Sequence, residues 1–365
     1  MAPSSGNRRL RWLVPAVVAV SIALLGLLPT LSSAATPDLP SVSPEQLIAK
    51  VEQSDVHAFS GRVRLTPDLG IPNLGALGGD VGGSGTGFNP TSLLSGVHEA
   101  DVKVAGPDRQ RLAMAEGLSE TDVYHDGRDV WTWASDGQKV THLLLPAPGA
   151  DAADNAAGNR PEPVVTPDEL AKRLLENITP SSAVSVTTSQ YVAGRAAYEL
   201  ALAPRSPDST IDHLLIAVDA ANGFPLLVGV VAKGDQKPAV ELGFTSIDYG
   251  TPSGPFTFAP PPGATVTTKD LSNHDAGPGN EPAAGGDQTA SSGRTTTVGA
   301  DWTRVAIFKD VQLPPEAHEL LRATTPVSNG RLLPSKLLNV IFLDDGRVVA
   351  GFVKPAMLEA AAAHG

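Results

Sequence analysis

Histidine and acidic side chains are the first candidates for chemistry in this 365-residue chain. Its eight histidines are scattered and show no HExxH or other metal-ligand spacing. Glu99 and Asp101 share one face of a predicted strand, but they alternate with apolar residues, as the polar side of any half-buried strand does. No Gly-x-Ser-x-Gly nucleophile motif occurs. These residue types and spacings predict a protein that is not an enzyme and that uses no metal or cofactor.

Two weaker possibilities for a site remain. The glycine-rich stretch from Gly70 to Gly96 lacks the Lys-Ser or Lys-Thr ending of a phosphate-binding loop. Its composition indicates either a disordered loop or a flexible lid that carries apolar side chains. A pair of carboxylates of the glycosidase kind has no sequence motif, so that possibility stays open.

Several side chains are candidates for binding. Trp131 and Trp133 stand two residues apart on a predicted strand, so they share one face of the sheet. They are expected either to line a ligand cavity or to take part in ordinary core or cross-strand packing. Packing is favoured because aromatic residues dominate cores. Arg195 is expected to be a solvated strand residue, with a carboxylate or lipid head group as the alternative contact. Asp219 and Asn222 are most simply turn-forming residues.

The first 34 residues have the order of a secretory signal peptide. Three arginines precede an apolar run from Leu13 to Leu28, and small residues follow it. Ser32 and Ala34 fit the −3 and −1 positions of a cleavage site, which predicts cleavage between Ala34 and Ala35.

An uncleaved membrane anchor is the alternative for this segment. The stretch from Trp12 to Leu31 just reaches the length of a spanning helix, but Pro15 and Pro29 shorten the useful helix. In either case the body of the chain is predicted to lie outside the cytoplasmic membrane, secreted or anchored at its outer face.

Composition narrows the choice of partners. The chain has no cysteine, so an exported protein of this sequence has no disulfides and depends on its core for stability. Removing residues 1–34 takes away three arginines and no acidic residue, which leaves 24 basic and 39 acidic side chains and a net charge of −15. Such a surface repels nucleic acid, which requires clustered Lys and Arg.

The apolar pattern predicts a long run of antiparallel strands with two short helices. Ser43 to Gln46 forms a capping box that begins the first helix, and Thr166-Pro167 begins the second. A period of two marks strands near residues 59–65 and 98–104. The Asp-Gly pairs at 126–127 and 136–137 join three more strands into a meander. After the second helix, strands are predicted at residues 184–191, 196–203, 214–219, 225–233 and 239–249.

The chain is predicted to contain two folded parts. Residues 43–265 form the main domain, and residues 266–299, which contain almost no large apolar side chain, form a disordered linker. Residues 300–363 form a small α+β module with helices at Leu313–Leu321 and Pro355–Ala363. A module of roughly 60 residues is near the lower limit for folding alone, so we expect it to dock on the main domain.

Three stretches carry a resemblance to a known family. They are the strand, Asp-Gly turn and Trp-containing strand within residues 123–144, the Gly-Arg-x-Ala-Tyr strand at 194–198, and the Asp-x-x-x-Gly-x-Pro hairpin at 219–225. Together they resemble the LolA/RseB (MucB) group of periplasmic, outer membrane lipoprotein-carrier-like proteins, in an actinobacterial form. The resemblance covers roughly residues 43–265.

This resemblance implies an α+β fold with a half-open β-barrel, which is a strongly curved antiparallel sheet with helices over its concave face. The concave face would hold an acyl chain, and the candidates to line it are Trp131, Trp133, Met114, Tyr198 and Phe244. The implied function is an extracytoplasmic carrier or chaperone that binds a lipid or a lipoprotein. The alternative is an RseB-like regulatory protein that binds an anti-sigma factor or another membrane protein.

Overall fold

The computed structural model describes residues 36–71, 92–146, 166–176, 178–271, 295–309, 311 and 321–364. The predicted signal segment with its Ala34–Ala35 cleavage site lies outside these residues, as do most of the glycine-rich stretch and all but the last residue of the predicted helix Leu313–Leu321. In the part of the chain that is described, no helix has both the length and the apolar character to cross a membrane.

Three helices begin where proline and capping residues predict them. Helix α1 (Pro44–Glu52) has a complete capping box, in which Ser43 Oγ accepts from the Gln46 N–H at 3.2 Å and Gln46 Oε1 accepts from the Ser43 N–H at 2.9 Å. Helices α2 (Pro167–Glu176) and α3 (Pro355–His364) also begin at a proline, whose fixed φ suits the first helical turn.

Twelve strands form one sheet. Their order is β12-β6-β5-β4-β3-β2-β1-β11-β10-β9-β8-β7, and every neighbouring pair is antiparallel except β12 with β6. The strands are β1 (Ala58–Pro67), β2 (His98–Ala105), β3 (Arg109–Glu116), β4 (Ser119–Asp126), β5 (Asp129–Ala134), β6 (Lys139–Leu144), β7 (Ser182–Val192), β8 (Arg195–Pro204), β9 (Ile211–Asp219), β10 (Pro225–Ala232), β11 (Pro238–Tyr249) and β12 (Thr265–Asp270).

The large sheet is curved and open. Strands β7 and β11 are four places apart, which in a flat sheet would separate them by about 19 Å. Their Cα atoms nevertheless approach within 8 Å, so this part of the sheet rolls up. Because β7 and β12 each have only one neighbour, the sheet does not close into a barrel. The predicted curved, half-open antiparallel sheet is therefore confirmed.

On strands β1 and β2, alternation of side chains gives one apolar and one polar face, whereas β9 and β10 are buried on both faces. On the polar face, Arg62 of β1 pairs with Asp101 of β2 at 2.9 Å, and Arg64 pairs with Glu99 at 2.6 Å. Since these ion pairs are about half exposed, each contributes little to stability. Their main effect is to keep this face wet and polar while the opposite face enters the core.

Two buried clusters cover the apolar face. In the first, Leu47 of α1 and Ala171 of α2 pack with Leu200, Ile216 and Val228 of β8 to β10. The second centres on three phenylalanines, in which the Phe59 ring lies 5.0 Å from Phe224 and 5.7 Å from Phe244. Both helices thus pack on the apolar face; that this is the concave side stays a prediction.

A second sheet follows, of six antiparallel strands in the order β13-β14-β18-β17-β16-β15. Helix α3 packs on one of its faces, where Leu358 joins the core with Ile307, Ile341 and Val349. The strands are β13 (Thr295–Val298), β14 (Val305–Phe308), β15 (Thr325–Val327), β16 (Gly330–Leu333), β17 (Asn339–Leu343) and β18 (Val348–Gly351).

The second module contacts the main sheet, as its small size led us to expect. Leu337 is buried in the first core cluster of the large sheet, and the Thr210 hydroxyl donates to its carbonyl at 2.5 Å. Lys336 Nζ lies 2.6 Å from an Asp68 carboxylate oxygen and 3.3 Å from Asp235. Both apolar burial and charge pairing therefore hold the module in place.

The predicted disordered linker at 266–299 is wrong at both ends. Strand β12 continues to Asp270 and β13 begins at Thr295. Every residue of these two strands is exposed, because each strand lies at the edge of its sheet, so the sequence carries no burial pattern there.

Strands β15 and β16 were also not predicted; they contain three and four residues, too few for a period of two to be visible. Residues 272–294 lie outside the described chain.

Two features favour glycine at position 223, in the turn between β9 and β10: its positive φ and the lack of space for a Cβ. Gly223 has φ +77°, and a Cβ there would overlap the carbonyl group of Lys50 at the end of α1. Gly127 has a similar φ of +64° but open space around it. We expect Gly127→Ala to cost about 1–2 kcal/mol for the backbone conformation alone. We expect Gly223→Ala to cost about 1–3 kcal/mol more, because α1 must also shift.

Urea unfolding of both variants beside the unmodified protein measures this difference. Equal losses in the two variants would show that the hairpin at Gly223 does not press on α1.

Candidate functional site

The structure separates the five predicted cavity residues. Met114 and Phe244 are buried on the apolar face in the phenylalanine cluster, and Tyr198 is buried in the cluster beneath α1 and α2. Trp133 pairs with Asp122, which pairs with Ala113, so both tryptophans of β5 lie on the opposite, polar face. The five candidates therefore do not share one face of the sheet, because neighbouring residues of β3 point to opposite faces and the strand register decides which face each occupies. That these residues line a ligand cavity stays a prediction.

The polar face of β4 and β5 carries three aromatic rings, which we call the aromatic ladder: Tyr124, Trp131 and Trp133. Phe258 lies over it, with ring centroids 5.1, 5.8 and 6.5 Å from the three in that order. The two tryptophans stay half-buried rather than fully covered. They lie outside the described core clusters, and Trp131 packs across the strands against His142, as the expectation of cross-strand packing has it. That the tryptophans line a ligand cavity stays a prediction.

His142 of β6 extends the ladder. Its ring stacks on Trp131 at 3.8 Å with an angle of 4° between the planes, and its Nε2 lies 2.7 Å from an Asp129 carboxylate oxygen. The stack covers one face of the indole ring and so fixes its orientation.

Phe258 belongs to a segment that we call the strap, residues 251–263, which connects β11 to β12. In the sheet order these strands are seven places apart, about 34 Å, so the connection must cross strands β1 to β6. It crosses on the polar face and forms no strand there. Five of its residues are proline, which favours an extended backbone over this distance.

Side chains hold the strap as it crosses. Lys103 Nζ of β2 donates to the Ser253 carbonyl at 2.9 Å. Over β3 the Arg109 guanidinium lies 4.8 Å from the centre of the Phe256 ring, and Phe256 is 3 % exposed. Two phenylalanines and one hydrogen bond thus attach the strap to the sheet.

A buried carboxylate organises the ladder from below. Asp122 is 4 % exposed, and one of its oxygens accepts from Arg111 Nη2 at 3.0 Å and from the Tyr124 hydroxyl at 2.9 Å. Burial, and then the hydrogen bond to Asp122 and its charge, raise the pKa of Tyr124 to about 12. The tyrosine therefore stays a neutral donor, and its ring orientation is held for contact with Phe258.

An open groove of about 470 Å³ lies beside the strap on the same face. Its floor contains small residues, including Gly61 and Ala113, and its walls carry Lys103, Arg111 and Glu120. A groove with small residues below and both charges at its sides suits an extended polar chain. It offers no arranged nucleophile and base, and within the described residues no three His, Asp or Glu side chains are placed to hold a metal ion.

The family-like motif at 219–225 has a structural task. Asp219 is 1 % exposed and accepts from Arg195 Nε, from the Tyr249 hydroxyl at 2.7 Å and from the Ala221 N–H at 2.8 Å. Burial by itself raises the pKa of Asp219, but these donors outweigh it and hold the pKa below its usual value. Arg195 thus contacts a carboxylate through its Nε, and that carboxylate belongs to Asp219 of this chain.

The comparisons with known proteins give structural neighbours only. No family model and no curated protein matches the chain. The solved MucA/MucB complex of Pseudomonas aeruginosa contains a chain that is similar at 16% identity, with a TM-score of 0.41 over 87% of this chain and 96% of that one. A LolA superfamily protein from Nitrosomonas europaea is similar at 13% identity, with a TM-score of 0.21 over 60% of this chain and 99% of that one.

The Asp219 network leads to a prediction of pH-dependent stability. Asp219→Asn removes a charge that Arg195 and Tyr249 contact, and we expect it to cost about 1–3 kcal/mol at pH 7. Because the pKa of Asp219 is lowered in the folded protein, the contribution of its charge is present above about pH 4 and is lost as the pH falls through the folded pKa. The difference between Asp219→Asn and the unmodified protein should therefore shrink below pH 4.

Unfolding free energies from pH 7 down to pH 3 check this. Asp248→Asn, at an exposed position of the same strand as Tyr249, is the matched control and should change stability by less than about 0.5 kcal/mol. A loss in Asp219→Asn that stays constant down to pH 3 would contradict the charge network.

Proposed function

We propose that this chain is an extracytoplasmic binding protein of the LolA/RseB type, not a catalyst, and that it binds an extended segment of another envelope protein on the polar face of its large sheet. One observation carries the proposal. The aromatic ladder already holds an extended chain, the strap, by side-chain contacts alone, so this surface has the shape and chemistry to bind one.

The residue types around the ladder support a protein ligand. Trp, Tyr and Arg are the side chains that most often dominate protein–protein binding energy. Here Trp131 and Trp133 lie half-buried beside the groove that Arg111 and Glu120 border. A partner segment would find apolar anchors next to charges of both signs, as in the core and rim of an interface.

The second module favours the RseB-like regulatory role over simple transport. It contacts the large sheet through the buried Leu337 and through Lys336, which bridges Asp68 and Asp235. A carrier of one acyl chain requires only the curved sheet. The docked second sheet adds surface for a protein partner, such as the extracytoplasmic part of a membrane protein.

Binding of an acyl chain is the second candidate, and the apolar face favours it. The apolar face extends across the sheet and includes Val102 of β2 and Ile216 of β9. The two helices that pack on it are short, with nine and ten residues. We place these helices over the concave side, as the resemblance implies. Leu47 and Ala171 are fully buried there, so an acyl chain would enter only if the helices moved aside.

A site-directed cross-link in the native envelope tests the proposal. A photoreactive amino acid at Thr268, which lies beside His142 in the register of β12, should form an adduct with one protein. Trp131→Ala combined with Trp133→Ala should reduce that adduct at least tenfold, because both anchors are lost. Tyr191→Ala removes an aromatic residue that is 54 % exposed on the distant edge strand β7, and it should leave the adduct unchanged.

Extraction and mass spectrometry of the natively purified protein separate the two candidates. Stoichiometric bound lipid without any protein adduct would reject the protein-binding role and support the carrier. An adduct that persists in the double tryptophan variant would reject the ladder as the site.

A further inference from the structure

We propose that the strap occupies, in cis, a site for a partner segment of the strap's own chemistry: an extended, proline-rich stretch with two aromatic side chains two residues apart. The inference rests on the proposed function, since both place a partner on the aromatic ladder. It adds the chemical identity of the partner segment and a competition between that segment and the chain itself.

Alternate residues of the strap make the recognition contacts. Phe256 is 3 % exposed beneath Arg109, and Phe258 lies over the ladder, whereas Thr257 and Ala259 face solvent. An extended chain directs every second side chain to one side. The surface therefore selects an aromatic-x-aromatic pair, and the residue between the pair is free to vary.

The strap is attached in a way that permits exchange. Within the described residues, no backbone N–H of residues 251–263 donates to the sheet, and the bond from Ala264 N–H to the Pro261 carbonyl is local. Lys103 supplies the one hydrogen bond from the sheet to the strap that the described residues show. Exchanging the strap for another segment would therefore leave every strand pairing of the sheet intact.

Proline makes a segment of this kind a good ligand in trans. Polyproline segments are extended before they bind, so they lose little entropy on docking to aromatic grooves. Pro260, Pro261 and Pro262 follow the aromatic pair after a single residue, Ala259. The preference of the surface is thus for an aromatic pair followed by a rigid extended tail.

The groove beside the strap explains how a partner could compete. A tethered strap acts at an effective concentration of the order of millimolar, so a free segment with the same contacts alone would lose. Glu120 borders the groove with an exposed side chain, and the strap forms no hydrogen bond with it among the described residues. Arg111 is already paired with Asp122 at 3.0 Å. A partner with a basic residue next to its aromatic pair would gain the contact with Glu120 and displace the strap.

The strap's own sequence is the probe that tests this. A fluorescent peptide of residues 254–263 should bind the full chain carrying Phe258→Ala at least tenfold more tightly than it binds the unmodified chain, because the cis competitor has lost an anchor. Adding Trp131→Ala to Phe258→Ala should reverse that gain. The same peptide with alanine in place of both phenylalanines should bind at least tenfold more weakly.

A second measurement covers the case in which Phe258→Ala does not fold. Because the chain has no cysteine, Thr257→Cys carries a single bimane label beside the ladder tryptophans, which quench it. Millimolar strap peptide should raise its emission, whereas a label at Thr297→Cys, on an exposed strand of the second sheet, should not respond.

Each outcome decides the inference. A folded Phe258→Ala variant that binds the peptide no more tightly than the unmodified chain, or equal binding of the alanine peptide, overturns it. So does a Thr257 label that does not respond to the peptide. If these fail while the Thr268 cross-link still captures a protein through the tryptophans, the proposed function stands and only the cis competition is rejected.

Discussion

Burial of one face of a twelve-stranded sheet is the constraint on which the rest of the structure depends. Each strand alternates its side chains, so Val63 on the apolar face commits its neighbours Arg62 and Arg64 to the polar face. Strands β9 and β10 are buried on both faces. A sheet this wide leaves a large apolar surface, which the structure covers by curvature, by α1 and α2, and by the phenylalanine cluster. The helices and the second module contact the sheet where that surface would otherwise be open.

The connection from β11 to β12 gives the polar face its special character. Strand β12 pairs with β6 at the far edge of the sheet, so the chain must cross the sheet after β11 to reach it. This crossing segment, the strap, needs apolar side chains to hold it on a face that is otherwise charged. Tyr124, Trp131 and Trp133 supply those anchors, and Asp122 below them keeps Tyr124 oriented. An aromatic surface on a polar face is thus a consequence of topology, and the same surface is the one best suited to hold a partner segment.

The residues that carry the family resemblance mainly build hairpins. Asp219 joins Arg195 and Tyr249 across three strands, and Gly223 lets its hairpin approach the end of α1. Asp126-Gly127 turns β4 into β5 and so places Trp131 opposite Tyr124. These motifs set the geometry of the sheet, and the stretch at 123–144 also contains the three residues of the aromatic ladder, Tyr124, Trp131 and Trp133.

Local signals in the sequence determined three kinds of feature: the helix starts at Pro44, Pro167 and Pro355, the Asp-Gly and Asn-Gly turns, and the run of antiparallel strands. They could do so because caps, turns and the period of two depend on residues that are close in the chain. The edge strand β12 escaped them, since a strand exposed on both faces has no apolar pattern. The sequence also placed Trp131 and Trp133 on one face without showing which face that was. Only the tertiary structure decided this, because the face of each strand is set by its register with the next strand. Phe258 also contacts Trp131 from more than a hundred positions away in the chain, and no local pattern records such a contact.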